Sequence, residues 1–135
     1  MTSKVIYQGE LRTSATHLQS GNLIETDAPL DNQGKGARFS PTDLVATALA
    51  SCMATIMGIA ARTHEIEMEG TAFEVEKVMA SDPRRIAGIR VDIRFPEGNV
   101  YNDKQKAILE HAALTCPVYL SLHPDLVKTV KFYWK

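Results

Sequence analysis

The chain has 135 residues, of which 44% are hydrophobic and 23% are charged. That composition is typical of a soluble globular protein, and the length favours one domain spanning residues 1–135. The formal net charge of −1 gives no electrostatic argument for binding nucleic acid or an anionic membrane surface. No apolar segment follows Met1 to Lys4, so we expect no signal peptide and a cytoplasmic, reducing location.

Short apolar segments in the first thirty residues predict a meander of two or three antiparallel strands. They are centred on Val5 to Tyr7, Leu11 to Leu18 and Leu23 to Ile24. Ser20-Gly21-Asn22 is typical of the tight turn between the last two. The segment 31–36, rich in turn-forming residues, predicts a loop.

A capping box predicts the start of a long central helix. Ser40 would be the N-cap, Pro41 the first helical residue, and the Asp43 carboxylate would accept from the Ser40 amide. The helix should run to about Arg62. Its uncharged part, Leu44 to Ala61, is barely long enough to span a membrane and is rich in alanine. We therefore expect no membrane span, but a helix buried on all sides in a protein core.

Alanines recur at every fourth residue of this helix, at positions 46, 50 and 54. Such a strip allows close approach of another backbone, so a neighbouring helix or a second subunit should pack there.

The second half of the chain predicts further strands and two helices. Residues 71–80 form a strand whose shifted apolar pattern indicates a bulge, and residues 89–95 form a strand with one polar face. Helices are expected over 102–114 and from Pro117, with a final strand over 126–134. The fold class is α+β: a mainly antiparallel sheet wrapped around a long central helix.

Cys52 and Cys116 are the two cysteines of the chain. In a reducing compartment such thiols are catalytic, metal-binding or buried rather than joined in a permanent disulfide. Cys116 precedes Pro117, where the dipole of a short helix would lower the thiol pKa. Cys52 lies in the uncharged helix, where burial would raise its pKa and leave it inert unless a cation reaches it. Arg12 and Arg38 are the candidate cations.

A metal site is the competing use of the two cysteines. The histidines at positions 17, 64, 111 and 123 could complete a tetrahedral zinc site, but no Cys-x-x-Cys or His-x-x-x-His spacing supports it. The chain also lacks a glycine-rich phosphate loop and a Gly-x-Ser-x-Gly elbow. We therefore expect neither a metal nor a cofactor.

The run Phe39-Ser40-Pro41-Thr42-Asp43-Leu44-Val45-Ala46-Thr47-Ala48-Leu49-Ala50-Ser51-Cys52 resembles the central-helix signature of the OsmC/Ohr family. The later Cys116-Pro117-Val118 looks like the second-cysteine motif of that family, and the order of elements matches over nearly the whole chain. This resemblance implies one OsmC-like domain and an intertwined homodimer with two sites at the subunit interface.

The resemblance also implies a thiol peroxidase that acts on organic hydroperoxides in the oxidative stress response. Cys52 would be the peroxidatic thiol and Cys116 the resolving thiol, recycled by a lipoyl-type or small dithiol. The family's catalytic arginine would be Arg12, the one arginine in the predicted N-terminal strands, or Arg38 by analogy with another branch. Apolar walls would favour alkyl hydroperoxides over hydrogen peroxide. They are expected from Leu49, Met53, Ile56 and residues of the partner subunit.

Two positions depart from the pattern of the family's peroxidases. Thr42 stands where they often carry glutamate, and the acid follows at Asp43, which either takes the catalytic role or only completes the capping box. Tyr119 stands where a small hydroxyl residue is common. These departures motivate a second hypothesis, a non-catalytic dimeric binding module for a small apolar ligand.

Overall fold

The structure, a computed structural model, describes residues 1–134 and divides into two compact units, residues 1–45 and residues from 46 onwards. That residues 1–135 form one domain stays a prediction. The strands are β1 (Ser3–Gly9), β2 (Arg12–His17), β3 (Leu23–Asp27), β4 (Ala72–Ala80), β5 (Arg85–Arg94) and β6 (Val127–Tyr133). The helices are α1 (Pro41–Thr63), α2 (Asp103–Leu114) and α3 (Pro117–Ser121), with a short 3-10 turn at Leu30–Asn32.

The first unit contains the predicted meander. Strands β1, β2 and β3 pair in that order, and both pairs are antiparallel. The β2–β3 register places Arg12 opposite Asp27 and Ser14 opposite Glu25. Cross-strand partners on one face are close enough to form ion pairs, so this register determines which charges meet.

The N-terminus of α1 has the predicted capping box. The Ser40 amide donates to Asp43 Oδ2 at 2.9 Å, and the Asp43 amide donates to Ser40 Oγ at 3.1 Å. Two N–H groups that the first helical turn leaves unpaired are thereby satisfied. The helix ends at Thr63, one residue beyond the predicted end.

One face of α1 is buried, with a spacing of three and four residues that is typical of an amphipathic packing face. The buried residues are Ala46, Leu49, Ala50, Met53, Met57 and Ala61. The opposite side is exposed at Ser51, Thr55 and Ile59. The prediction of burial on all sides is therefore wrong for the described chain. It was based on the lack of charge on α1, but no described residue covers the outer face of the helix.

Among the described residues, α1 is the single helix that is long and apolar enough to cross a membrane. The core helix of a soluble protein meets the same criteria of length and composition. The finding is therefore weak evidence for a membrane span. The buried residues along one face of α1 indicate instead a helix that packs in a protein core.

The second unit carries the sheet β4-β5-β6. Strands β4 and β5 are antiparallel with a register shift between Val78 and Met79, which confirms a bulge in this strand. Strand β6 pairs with β5 in parallel, starting at Val127 opposite Gly88. A Cβ on Gly88 would lie 3.2 Å from the Val127 carbonyl oxygen, so glycine allows this close pairing.

Helix α2 begins with a second capping box, in which Asn102 and Gln105 each accept the other's backbone N–H. Its buried residues Leu109, Ala112 and Ala113 join one hydrophobic cluster with α1 and β5. The prediction of a mixed α+β fold is confirmed as two three-stranded sheets and a long helix. Wrapping of a sheet around that helix and intertwining of two subunits stay predictions.

Candidate functional site

Cys116 is the N-cap of α3 and is completely buried, with 0% exposure. Its sulfur accepts the backbone N–H of Tyr119 at 3.4 Å, and Pro117 occupies the first helical position. The expectation that Cys116 lies at the start of this short helix is therefore confirmed. Its side chain belongs to the hydrophobic cluster that contains Leu49 and Met53.

Burial raises the pKa of the Cys116 thiol, against the partial opposing effect of the Tyr119 and Val118 amides. The prediction of a lowered pKa is wrong in direction. A thiolate here would lose nearly all contact with water, and this desolvation exceeds what the N–H groups of a five-residue helix provide. Cys116 is thus held in the neutral thiol form.

Cys52 lies beside Cys116, and both are free thiols. The Cys52 side chain is close enough to Cys116 to affect its ionisation, and it further raises the Cys116 pKa. Cys52 is only partly buried, packed against the edge of the hydrophobic cluster. Cys52, for which burial was expected, is therefore the more accessible of the two thiols. Two adjacent thiols of unequal accessibility can be oxidised to a disulfide by a reagent that first reaches Cys52.

The three residues predicted to line a substrate pocket differ in burial. Leu49 and Met53 are both 0% exposed and lie in the core behind Cys52 on α1. Ile56 is partly buried, one turn beyond Cys52. Leu49 and Met53 are therefore shielded from solvent, whereas Ile56 is partly accessible. Their role as pocket walls stays a prediction.

Arg12, in the first unit, is held by Asp27, a residue that the sequence reasoning missed. Arg12 Nε donates to Asp27 Oδ1 at 2.7 Å, and Arg12 Nη2 donates to Oδ2 at 2.8 Å. The Asp27 side chain is 1% exposed and that of Arg12 is 26% exposed. The arginine hydrogen bonds hold the pKa of Asp27 below its usual range. No local pattern identifies this pair, because it depends on the β2–β3 register that places Arg12 opposite Asp27.

Arg38, the alternative arginine, is held less firmly than Arg12. Its Nε donates to Glu25 Oε2 at 2.9 Å, and its side chain is 48% exposed. Asp43 and Thr42 are both engaged at the helix start, with Thr42 Oγ1 3.2 Å from Ser40 Oγ. The capping contacts account structurally for Asp43, and its catalytic role stays a prediction.

Within residues 1–134, no three side chains of the types His, Cys, Asp and Glu cluster closely enough to hold a metal ion. The four histidines fall outside any such group. His17, for example, has its Nδ1 2.6 Å from Ser20 Oγ in the β2–β3 turn. The zinc alternative therefore has no site in the described part of the chain.

Comparisons with known proteins place these features in a family context. The sequence profile of the family described as OsmC-like protein matches residues 34–131. A crystal structure from Psychrobacter arcticus 273-4, named for an osmotic stress and detoxification response, is 58% identical with a TM-score of 0.93. The alignment covers 98% of this chain and 96% of that one. No curated protein sequence matches the chain.

Two more distant structures are similar in fold. The organic hydroperoxide resistance protein OsmC of Legionella pneumophila is 14% identical with a TM-score of 0.76, over 99% of this chain and 98% of that one. The organic hydroperoxide resistance protein OhrB of Bacillus subtilis is 17% identical with a TM-score of 0.71, over 98% of each chain. At these identities the likeness demonstrates a common architecture.

Proposed function

The chain belongs to the OsmC-like protein family, and we propose that it is a thiol peroxidase that reduces organic hydroperoxides. The observation that carries the proposal is the interaction between the Cys52 and Cys116 thiols. Architectural likeness to two organic hydroperoxide resistance proteins supports it. The family connection also favours a role in the response to oxidative stress.

The proposed cycle has three steps. The Cys52 thiolate attacks the distal oxygen of the hydroperoxide, and the O–O bond breaks to give Cys52 sulfenic acid and, after protonation, an alcohol. The Cys116 sulfur then attacks the sulfenic sulfur, which releases water and forms the Cys52–Cys116 disulfide. A small or lipoyl-type dithiol reduces this disulfide by exchange and is itself oxidised to a disulfide. The hydroperoxide and the dithiol thus become alcohol, water and the oxidised dithiol.

The accessibility of the two sulfurs supports this assignment of roles. A hydroperoxide can approach the partly buried Cys52, whereas the fully buried Cys116 is shielded from it. The raised pKa keeps Cys116 protonated and unreactive until a sulfenic acid forms next to it. In this proposal Arg12 rather than Arg38 is the arginine that serves the reaction, because its guanidinium is the better fixed of the two candidates.

The proposed substrate class follows from the apolar surroundings of Cys52. Ile56 is partly buried beside it, and Leu49 and Met53 lie behind it in the core. Such walls would bind an alkyl or aryl hydroperoxide more favourably than hydrogen peroxide. A reducing, cytoplasmic location would keep both thiols reduced at rest.

Turnover of cumene hydroperoxide with dihydrolipoamide as the dithiol tests the proposal. Wild type should consume the peroxide, and Cys52→Ser should not. Cys116→Ser should form the Cys52 sulfenic acid in a first reaction with the peroxide. At a low concentration of a small dithiol, turnover should then stop. Equal rates for wild type and Cys52→Ser would rule out the peroxidase.

We also propose a homodimer with the sites at the subunit interface. Large apolar side chains of the first sheet are exposed in the chain by itself, at Val5 60%, Ile6 53%, Tyr7 64%, Leu23 54% and Ile24 49%. An exposed apolar surface of this kind is typical of a subunit interface. Sedimentation equilibrium should give twice the mass of the chain, and a monomer at micromolar concentration would contradict the proposal.

A non-catalytic binding module remains the second candidate because of a groove beside the C-terminal half of α1. The groove has a volume of about 420 Å³ and is lined mainly by α1 and the segment after it, including Ile59, Ile66 and Met68. Intact mass after one equivalent of cumene hydroperoxide separates the two functions. A loss of two hydrogens reports the disulfide and favours the enzyme, whereas an unchanged mass favours the binding module.

A further inference from the structure

We propose that Lys128 is a positioning residue for the Cys116 thiol and acts on it through Tyr119. The inference rests on the proposed peroxidase function and names what holds the second thiol ready for disulfide formation. Lys128, Tyr119 and Cys116 all belong to the second unit, and consecutive contacts connect them. Lys128 lies on β6, Tyr119 in α3, and Cys116 at the N-terminus of that helix.

Lys128 occupies a position on the second sheet where its neighbours are apolar. It lies opposite the buried Ile89 in the β5–β6 register. Val130 and Phe132, which follow on the same face of β6, pack against the hydrophobic cluster. The Lys128 side chain is partly buried, and its Nζ donates to the Leu126 carbonyl at 3.2 Å. An ammonium on such a face needs polar or aromatic partners, because burying a charge without them is costly.

The ring of Tyr119 is a second partner of this ammonium. Lys128 Nζ lies 5.2 Å from the centre of the ring, within the range of a cation–π contact. Tyr119 is itself partly buried and packs against the hydrophobic cluster. The contact therefore connects α3 to the second sheet.

The backbone of Tyr119 holds the Cys116 sulfur. Its N–H donates to Cys116 Sγ at 3.4 Å, which makes the sulfur the N-cap of α3. The helix has five residues, and so short a helix gains little stability from its own hydrogen bonds. The direction of this N–H therefore depends on tertiary contacts, of which the contact between the Tyr119 ring and Lys128 is one.

The place of the Cys116 sulfur matters for the second step of the proposed cycle. There Cys116 gives up its thiol proton and attacks the Cys52 sulfenic sulfur, and the S–O bond breaks with release of water. Two groups held side by side react fast because their relative orientation is fixed in advance. If α3 frays, the sulfur is displaced for part of the time, and the rate falls with the population of the correct geometry. The first step, attack of Cys52 on the peroxide, does not use the Cys116 sulfur.

The chain offers a matched control in Lys106 and Trp134. Lys106 is also partly buried, and its Nζ lies 5.6 Å from the centre of the Trp134 ring. Lys106→Met thus removes a contact of the same kind from α2, where we assign it no part in the reaction. An effect common to both lysine substitutions can thereby be separated from an effect on the Cys116 sulfur.

The experiment resolves the two steps in single turnovers without a dithiol. Reduced protein receives one equivalent of cumene hydroperoxide, samples are quenched with acid, and intact mass counts each form. A gain of one oxygen reports the sulfenic acid, and a loss of two hydrogens reports the disulfide. Lys128→Met should leave the first step unchanged and slow the second by about 5- to 30-fold, the range for a partly desolvated cation–π contact. Lys106→Met should keep both wild-type rates.

Two further variants test whether the effect passes through the ring. Tyr119→Leu removes the ring and should slow the second step as much as Lys128→Met does. Lys128→Arg keeps a cation over the ring and should restore most of the wild-type rate. Slow disulfide formation in Lys128→Met with a wild-type rate in Tyr119→Leu would overturn the role of Tyr119.

Hydrogen exchange measures the same effect without chemistry. In the reduced protein, the Tyr119 amide should exchange about 5- to 30-fold faster in Lys128→Met than in wild type. The Gln105 amide, which donates to Asn102 Oδ1 at 2.9 Å in the cap of α2, should exchange equally in both. A lysine that only stabilised the whole fold would change the two amides alike, and that result would overturn positioning.

The outcomes separate this inference from the proposed function. A wild type that leaves cumene hydroperoxide unreacted contradicts the function, and diamide then replaces the peroxide, its N=N bond taking up two hydrogens as Cys52 and Cys116 join. Slower disulfide formation in Lys128→Met with diamide supports the inference, and an equal rate overturns it. With an active wild type, an unchanged second step in Lys128→Met, or an equal slowing of both steps, overturns the inference alone. If Lys128→Met does not fold, Tyr119→Leu is compared with wild type in the same assays.

Discussion

Asp43→Ala distinguishes the two roles that the sequence leaves open for this acid. In the structure Asp43 Oδ2 accepts the Ser40 amide at 2.9 Å. Removing the carboxylate takes away that partner and the negative charge at the N-terminus of α1. We expect a less stable protein whose folded molecules keep their peroxidase turnover.

The size of the loss follows from the burial of Ser40, which is 1% exposed. Water cannot easily replace the lost acceptor, so the cost should lie toward the upper end of the range for caps, about 1–2 kcal/mol. With an unfolding entropy of about 2.1 cal/mol/K per residue, 1 kcal/mol corresponds to about 3–4 °C for a chain of this length. The unfolding temperature should therefore fall by about 3–7 °C.

Gln105→Ala provides the matched control, since Gln105 holds the same position in the α2 capping box. Its Oε1 accepts the Asn102 amide at 3.0 Å, but Asn102 is exposed and Gln105 carries no charge. Water can replace this acceptor, so the loss should stay below about 1 kcal/mol. Thermal unfolding followed by circular dichroism measures both variants, and turnover is measured well below both transitions.

The capping interpretation has a clear refutation. If Asp43→Ala unfolds at the wild-type temperature and loses turnover, the carboxylate takes part in chemistry. If it is no less stable than Gln105→Ala, burial of Ser40 does not determine the cost of losing the cap.

Three further predictions concern the stability of the protein at low pH, the core position of Leu109 and the burial of the Cys116 thiol. Asp27 and Asp92 both have a pKa lowered mainly by an arginine hydrogen bond, so the stability they contribute is present above the ordinary aspartate value of about 3.9 and is lost as the pH falls below it. The wild-type unfolding temperature should drop below about pH 4, less steeply in Asp92→Asn, and parallel curves would contradict this. Leu109→Ala should cost about 2–5 kcal/mol in urea unfolding, and Leu120→Ala, 68% exposed, less than about 0.5 kcal/mol; similar values for the two would contradict the assigned core. Iodoacetamide at pH 8 should modify Cys116 in Cys52→Ser slowly until urea unfolds the chain, and equal rates in both states would disprove its burial.

Local patterns predicted most of the elements because their causes lie within a few residues. The Ser40–Asp43 box fixes the start of α1, and the turn at residues 20–22 separates β2 from β3. Parallel pairing of β5 with β6 was not predictable in this way. It depends on how α2 and α3, which lie between those strands in the sequence, return the chain to the sheet.

The candidate site was likewise predictable from the sequence only in part. Adjacency of Cys52 and Cys116 was expected from the resemblance, whereas the burial expected for Cys52 from its local surroundings is only partial and Cys116 is the fully buried thiol. Burial of a sulfur depends on every segment that packs around it, and for Cys116 these include α1 and β5, which are distant from it in sequence. The Arg12–Asp27 pair likewise depends on a strand register that residue types alone leave open.

The sequence by itself determined the order and type of the elements, the caps of α1 and the family to which the motifs belong. Those features depend on short-range hydrogen bonding and on the periodicity of apolar residues, both of which can be read along the chain. The tertiary structure alone decided that Cys116 is the shielded thiol and that Asp27 holds Arg12. Desolvation and ion pairing act between residues distant in sequence, so they become definite only once the chain has folded.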